Sequence, residues 1–203
     1  MVVLVPKGVL PERCTPVFMY CLLYTSMCDG QSMDLAYERA GQVDLAAYNR
    51  MIAAKTAALF GASSQLGALC APCDADTVLR YRELGRAFGM AFQIRDDVLG
   101  IWGTLDATGK VSGNDIARRK WTFPVVWALT QPRSAVRDVI TSAYARGGTL
   151  DNGTVASVVD ALDELGARDA ANQAAAGHLS IVERHPVKHV REFLLNSLEL
   201  AST

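Results

Sequence analysis

No tract of basic residues interrupts this sequence: 20 lysines and arginines are spread against 21 acidic residues, for a formal net charge of −1. Without a basic field, nucleic acid and acidic membrane surfaces are excluded as main partners. No apolar run is long enough to cross a bilayer. VFMYCLLYTSMC, the longest near the N-terminus, falls well short of the roughly 20 residues that a spanning helix needs, so no stable membrane insertion is expected. It follows Lys7 and Arg13 as a signal peptide's apolar region would, but it lacks a small-x-small cleavage site. The five cysteines, at 14, 21, 28, 70 and 73, are an odd set without a secretory signal, which points to reduced thiols and a cytoplasmic protein. Cys70 and Cys73 have CxxC spacing, yet no second CxxC and no βαβ pattern accompany them, so they read as residues of a helix end. After residue 27, β-alternation, hairpin pairs and internal repeats are also missing.

What is present is an ordinary globular composition, 50% apolar and 20% charged, in a chain long enough for one sizeable core. Residues 1–26 carry three prolines and no helical period, and the fragment CLLYTS resembles a translated sequencing adapter. This stretch is expected to be non-native or disordered, with a native first strand or loop as the alternative. From Met27 onward the reading is all-α. A short amphipathic segment covers 28–39. Asp44 is placed to cap a long helix through YNRMIAAKTAALFGASSQLGALC, which Pro72 closes. Asp74 or Asp76 caps the next, carrying Val78, Leu79, Tyr81, Leu84, Phe88 and Phe92 on its apolar face. A breaker-rich loop, GIWGTLDATGKVSG, precedes a helix IARRKWTFPVVWAL interrupted by Pro124. Further helices are expected from Pro132 to about Arg146, from Asp151 to about Gln173, and from Pro186 to Leu200. His185 and His189 sit four apart, but Pro186 puts His185 outside the helix, and both read as surface residues. Trp102, Trp121 and Trp127 read as core or cavity lining. No linker divides the bundle into domains.

One stretch raises a charge problem. GMAFQIRDDVLGIWG, residues 89–103, is largely apolar yet holds the adjacent carboxylates Asp96 and Asp97. At a separation of about 5 Å two such charges repel by roughly 3 kcal/mol at an effective dielectric near 20, so one must be compensated or must face water. Residues four apart share a helix face, so Gln93 and Asp97 look the same way, and Asp96 can lean into the same cleft. Such a pair offers hard oxygen ligands, and Mg²⁺ prefers a few carboxylates together with waters and substrate phosphates. Lys110, in the glycine-rich loop, and Arg118, Arg119 and Lys120 beyond it supply cations. Carboxylates, magnesium and lysines around one cleft suit a diphosphate. The plainer alternative is a solvated helix edge, or aspartates paired with Arg95 or Arg118.

Taken together, FQIRDDVLGIWG, TGK and NDIARRKWTFPVVWAL resemble the second aspartate-rich region of the trans-isoprenyl diphosphate synthases, the polyprenyl synthetase family. GQSMDL at 30–35 and KTAALF at 55–60 resemble two further elements of that family, in the same order and spacing. The resemblance runs from about Asp29 to the C-terminus. It implies that residues 27–203 are the C-terminal part of an isoprenoid-synthase-type helical bundle, N-terminally truncated. The implied reaction is the Mg²⁺-dependent condensation of an allylic diphosphate with isopentenyl diphosphate, releasing pyrophosphate. Asp96 and Asp97 would then ligate Mg²⁺. Lys55, Lys110 and Lys120 would neutralise the diphosphate oxygens. Thr56 and Gln93 would aim their dipoles at the nascent carbocation.

Two departures from the family pattern stand out. The second motif usually reads Asp-Asp-x-x-Asp, but the fifth position here is Gly100. The first aspartate-rich motif and the N-terminal Gly-Lys-x-x-Arg element have no counterpart among residues 1–28, so the chain alone is expected to have little or no activity. Asp115 reads as a helix cap or a partner of Arg119. A homodimer, or a heterodimer with a complete synthase, is implied by the family. A non-catalytic regulatory subunit that pairs with a complete synthase is the alternative function. Class I terpene cyclases share the metal logic but use a different second metal motif. Product chain length is set by residues this sequence does not contain.

Overall fold

A computed structural model of the protein describes residues 15–39, 41–103, 113–145 and 148–200, and all of their regular secondary structure is helical. The first helix, α1 (Thr15–Tyr37), starts inside the stretch expected to be non-native, and takes in the shorter segment read at 28–39 except its last two residues, which form a turn. Residues 1–14 lie outside the described residues. Asp44 opens α2 (Leu45–Ile52) by accepting the Ala47 N–H at 2.6 Å. The helix then widens into a π-helical turn, Ala53–Ala57, and continues as α3 (Ala58–Leu69). Gly30 of α1 lies directly against this turn: a Cβ there would sit 2.6 Å from Cα of Lys55, an approach only glycine permits.

The spine of the fold is α4 (Ala75–Trp102), capped by Asp74, which accepts the Thr77 N–H at 2.6 Å. It packs along α3 on one side and along α9 (Ala167–Glu183) on another. The alanines Ala167, Ala171 and Ala175 of α9 are buried in the main core. Ile94 and Ile101 of α4 join Tyr48 and Ile52 of α2 in the main core, along with residues from the later helices. Burying each such side chain contributes about 1.5–3 kcal/mol. A second cluster, Leu84, Phe88, Val182 and Leu198, holds the far part of α4 and includes α10 (Lys188–Leu200). His185 belongs to this region, buried edge-on against Tyr81 with ring centroids 4.9 Å apart, and is not the surface residue that the sequence implied.

Beyond α4, the single helix expected across IARRKWTFPVVWAL is two. The one-turn α5 (Asn114–Ala117) ends at Arg118, and α6 (Phe123–Ala128) starts after Thr122. Pro124 does not interrupt α6; it occupies the first turn, where a missing N–H costs nothing. The break comes earlier, at Arg119, whose φ of 53° is left-handed. Its N–H reaches the Ile116 carbonyl at 2.8 Å, and the Lys120 N–H reaches the Asp115 carbonyl at 2.9 Å. These are the two closing bonds of a Schellman helix end, with arginine where glycine is usual. The remaining elements are α7 (Ala135–Tyr144), capped by Ser134, and α8 (Asn152–Glu164), capped by Asp151. The helix expected from Asp151 to about Gln173 is split between α8 and α9 by Gly166, at φ 75°. Among the described residues no helix is long and apolar enough to cross a membrane.

Candidate active site

The charge problem posed by Asp96 and Asp97 is resolved in both available ways. Asp96 is exposed, whereas Asp97, one residue on, turns inward and is 1% exposed. A buried carboxylate needs donors, and four converge on it. Oδ2 accepts the Tyr48 hydroxyl at 2.6 Å and the Phe123 backbone N–H at 2.9 Å. Oδ1 accepts Gln93 Nε2 at 3.2 Å and Lys120 Nζ at 3.3 Å. The ion pair that compensates it comes from Lys120 and not from Arg95 or Arg118; Arg118 instead lies 3.8 Å from Glu38 at the surface.

Gln93 ties the two aspartates together. One helical turn before them, its Nε2 also donates to Asp96 Oδ2 at 3.2 Å. Which end of the amide faces the carboxylates is fixed from the other side, because the Thr56 hydroxyl donates to Gln93 Oε1 at 2.7 Å. Thr56 lies in the π-helical turn, a feature that often accompanies functional sites. Its neighbour Lys55 reaches toward α1, with Nζ 2.5 Å from Asp34 Oδ2. Thr56, Gln93, Asp96, Asp97 and Lys120 are thus joined by direct hydrogen bonds, and Lys55 flanks them. Lys110 lies outside the described residues.

Lys120 is held from several directions. Its ammonium lies between Asp97 Oδ1 and Asp115 Oδ2, the latter at 3.1 Å. Asp115 therefore pairs with Lys120, and not with Arg119 as its neighbourhood in the sequence suggested. Arg119 instead donates from Nε to the Ala143 carbonyl at 2.8 Å, and also to the Gly148 carbonyl. The Lys120 carbonyl accepts the Tyr144 hydroxyl at 3.1 Å.

The electrostatics follow from burial and pairing. Burial pushes the Asp97 carboxyl up, and Lys120, Tyr48 and the Phe123 N–H act against that push. For Lys120, burial works against the charged form, but Asp97 and then Asp115 outweigh it and hold the ammonium above the usual lysine range. The Tyr48 phenol is raised well above its ordinary value, by burial first and then by Asp97. It stays a donor.

These surroundings bear on a metal. Among the described residues no three acidic, histidine or cysteine side chains gather into a closed site. Asp97 has its oxygens turned to four donors inside the fold. Asp96, exposed and beside it, fits Mg²⁺ as a single carboxylate ligand, since that ion completes its shell with waters and phosphate oxygens. Sequence reasoning missed Asp34, Tyr48, Asp115 and the Phe123 N–H. The Phe123 N–H and Tyr48 left no signal, because a tyrosine on an apolar face reads as core.

Among the described residues, the central helix of an all-helical bundle thus presents a bonded Gln-x-x-Asp-Asp set to a lysine from a following turn. The chain belongs to the polyprenyl synthetase family, whose model matches residues 13–162. It is 45% identical over 121 residues to a geranylgeranyl diphosphate synthase of Mycobacterium tuberculosis, covering 60% of this chain and 34% of that one. Its fold resembles a polyprenyl synthetase from Streptomyces coelicolor, with TM-score 0.78 and 28% identity over 94% of this chain and 59% of that one. It also resembles a polyprenyl synthase from Caulobacter crescentus, solved with calcium and isoprenyl diphosphate, with TM-score 0.80 and 25% identity over 93% and 58% of the two chains. The chain spans about a third to a half of the length of the curated relatives it matches.

Proposed function

We propose that this chain carries the diphosphate-holding part of a prenyl diphosphate synthase, which condenses an allylic diphosphate with isopentenyl diphosphate. The observation that carries the reading is the bonded set Thr56–Gln93–Asp96/Asp97–Lys120, in which one carboxylate is open and its neighbour anchors a lysine. The reaction breaks the allylic C–O bond, joins the cation to the isopentenyl double bond and loses a proton. Its demand on the protein is to stabilise charge on the departing pyrophosphate while keeping water from the cation.

Mg²⁺, when bound, supplies charge neutralisation on the diphosphate oxygens. Asp96 is the residue that holds it. Asp97 acts through its bonds: it fixes Lys120, whose ammonium has three donors, two of which are committed to carboxylates. The third is left for a phosphate oxygen, and the side chain is 20% exposed, enough to meet one. Lys55, one-quarter exposed and tethered by Asp34, adds a second cation, and Lys110 a third. The Thr56 hydroxyl keeps lone pairs toward a developing cation while its proton holds Gln93.

Pairing with a second copy, or with a complete synthase, belongs to the same reading. It is supported by the large apolar side chains left exposed on two helices that pack on each other, Tyr24 and Leu35 on α1 and Leu59 on α3. A cytoplasmic setting is supported by the free, exposed Cys28, Cys70 and Cys73.

Calorimetric titration of the chain with pyrophosphate tests the reading. Binding is expected with Mg²⁺ present, lost on chelation, and weakened roughly tenfold or more by Asp96→Asn. Affinity indifferent to both the metal and Asp96 would refute it.

A further inference from the structure

Where the family's second motif places its third acid, this chain has Gly100, and the structure shows what occupies the space. A Cβ built on Gly100 would lie 2.6 Å from Cγ of Asp115, with the carboxylate oxygen Oδ2 closer still. Asp115 comes from α5, which packs on α4 at this point, and the Gly113 N–H donates to the Ile101 carbonyl at 3.0 Å just beyond the contact. The Asp115 side chain is buried, at 8% residue exposure, and its Oδ2 is the atom that receives Lys120 Nζ at 3.1 Å. The same residue's backbone carbonyl accepts the Lys120 N–H. Lys120 is therefore gripped by Asp115 at both ends, main chain and ammonium, while Asp97 holds the ammonium from α4.

We propose that Asp115 is a positioning residue for Lys120, and that Gly100, by lacking a side chain, admits the Asp115 carboxylate to this position against α4. The proposal rests on the diphosphate-binding role given to Lys120 above. A side chain at 100 would push the Asp115 carboxylate from where it now lies, so the third carboxylate of the site comes here from the segment that also carries the lysine. The consequence is mechanical. An ammonium on four rotatable bonds would sample many positions; one fixed by two carboxylates and by its own backbone presents its remaining donor in one place, so less ordering is needed when phosphate binds.

The test is a set of cycles on the full chain, read by calorimetric affinity for pyrophosphate with Mg²⁺ and by thermal unfolding. Gly100→Ala is expected to weaken binding roughly tenfold by displacing the carboxylate, and Asp115→Ala by a similar factor, as for the loss of one charged hydrogen bond. In the Asp115→Ala background, Gly100→Ala should cost less than about twofold more, because nothing remains to collide with it. Multiplicative losses, or a Gly100→Ala protein that binds as the native one does, overturn the proposal. Asp115→Asn keeps the shape and removes the charge, so it covers the case in which Gly100→Ala does not fold: weakened binding with a melting temperature within a few degrees of native supports the proposal, and native affinity overturns it. Should the native chain bind no magnesium pyrophosphate, the function proposed above falls. The positioning claim is then decided by melting temperatures alone, where non-additivity of Asp115→Asn and Lys120→Met supports it and additivity overturns it.

Discussion

The Tyr48 hydroxyl donates to Oδ2 of Asp97 at 2.6 Å, joining α2 to α4 across 49 residues of sequence, and the tyrosine is fully buried. Its ring stands edge-on to Phe123, whose own N–H bonds the same carboxylate oxygen. Two donors from two elements therefore fix one oxygen. Tyr48→Phe removes one of them and leaves the other with a buried charge. The expected cost is about 1.5–3 kcal/mol, the range for a hydrogen bond to a charged group. Urea unfolding of native and Tyr48→Phe chains checks this. Equal midpoints would mean that water replaces the phenol and that the bond does not stabilise the fold.

Lys120→Met leaves Asp97 buried without its ion-pair partner, a change that costs about 3–5 kcal/mol when the remaining charge is uncompensated. The pH dependence has a definite sign. Burial already raises the Asp97 carboxyl, and Lys120 is the largest influence holding it down. In the variant the folded carboxyl is raised further above its unfolded value. The folded chain then binds the extra proton, so stability increases as pH falls. The penalty should be full above the folded pKa and should fade as pH drops through it toward about 4, where the unfolded carboxyl also protonates. In the native chain the Lys120 ammonium is itself raised, so its stabilisation is complete at neutral pH and disappears only above the normal lysine range. Denaturation midpoints of both chains between pH 5 and 9 would show the two curves converging on the acid side. Parallel curves would rule out Asp97 as the group left unpaired.

What the sequence made legible divides along the distance over which each interaction acts. The cap Asp44, the cap Asp74 (one of the two candidates) and the shared face of Gln93 and Asp97 depend on neighbours three or four residues away, and they are where local pattern places them. The partner of Asp97 is not local. Local pattern offers Arg95 and Arg118, and Lys120 takes the place through the left-handed turn at Arg119, which swings the following residue back toward α4. A left-handed arginine has no signature, since glycine is the residue that marks such a turn. The same reason hid the division of 114–129 into α5 and α6. Asp34 was visible within GQSMDL, but its task of holding Lys55 depends on the close approach of α1 at Gly30.

Asp96 and Asp97, read from sequence as a matched pair of ligands, stand in opposite environments, and conservative substitutions should separate them. Asp96→Asn removes a charge from an exposed position and should change stability by no more than about 0.5 kcal/mol while weakening magnesium-dependent pyrophosphate binding. Asp97→Asn takes the counter-charge from a buried ammonium and turns an amide NH₂ toward donors, so stability should fall by about 3 kcal/mol or more. Thermal melts paired with calorimetry distinguish the two effects. If both variants lose binding and keep native stability, the carboxylates act as equivalent ligands and the inward turn of Asp97 has no structural role.

Gln93 offers the sharpest check on the polar network, because its orientation is dictated from both ends. The Thr56 hydroxyl occupies Oε1, which turns Nε2 toward two carboxylates at 3.2 Å each. Gln93→Glu replaces a donor with a third carboxylate among them. Two unit charges at that spacing repel by roughly 5 kcal/mol at an effective dielectric near 20, more than the loss of neutral hydrogen bonds would cost. The new carboxyl should therefore hold a proton in the fold well above the ordinary glutamate pKa. Its stability should rise as pH is lowered from 8 toward 5, where the native chain has no such gain from position 93. Gln93→Met, equal in reach but without charge, should lose stability by an amount independent of pH. If Gln93→Glu and Gln93→Met melt together across this range, the amide does not face the two aspartates, and the bonded set that links Thr56 to Lys120 is not the one described.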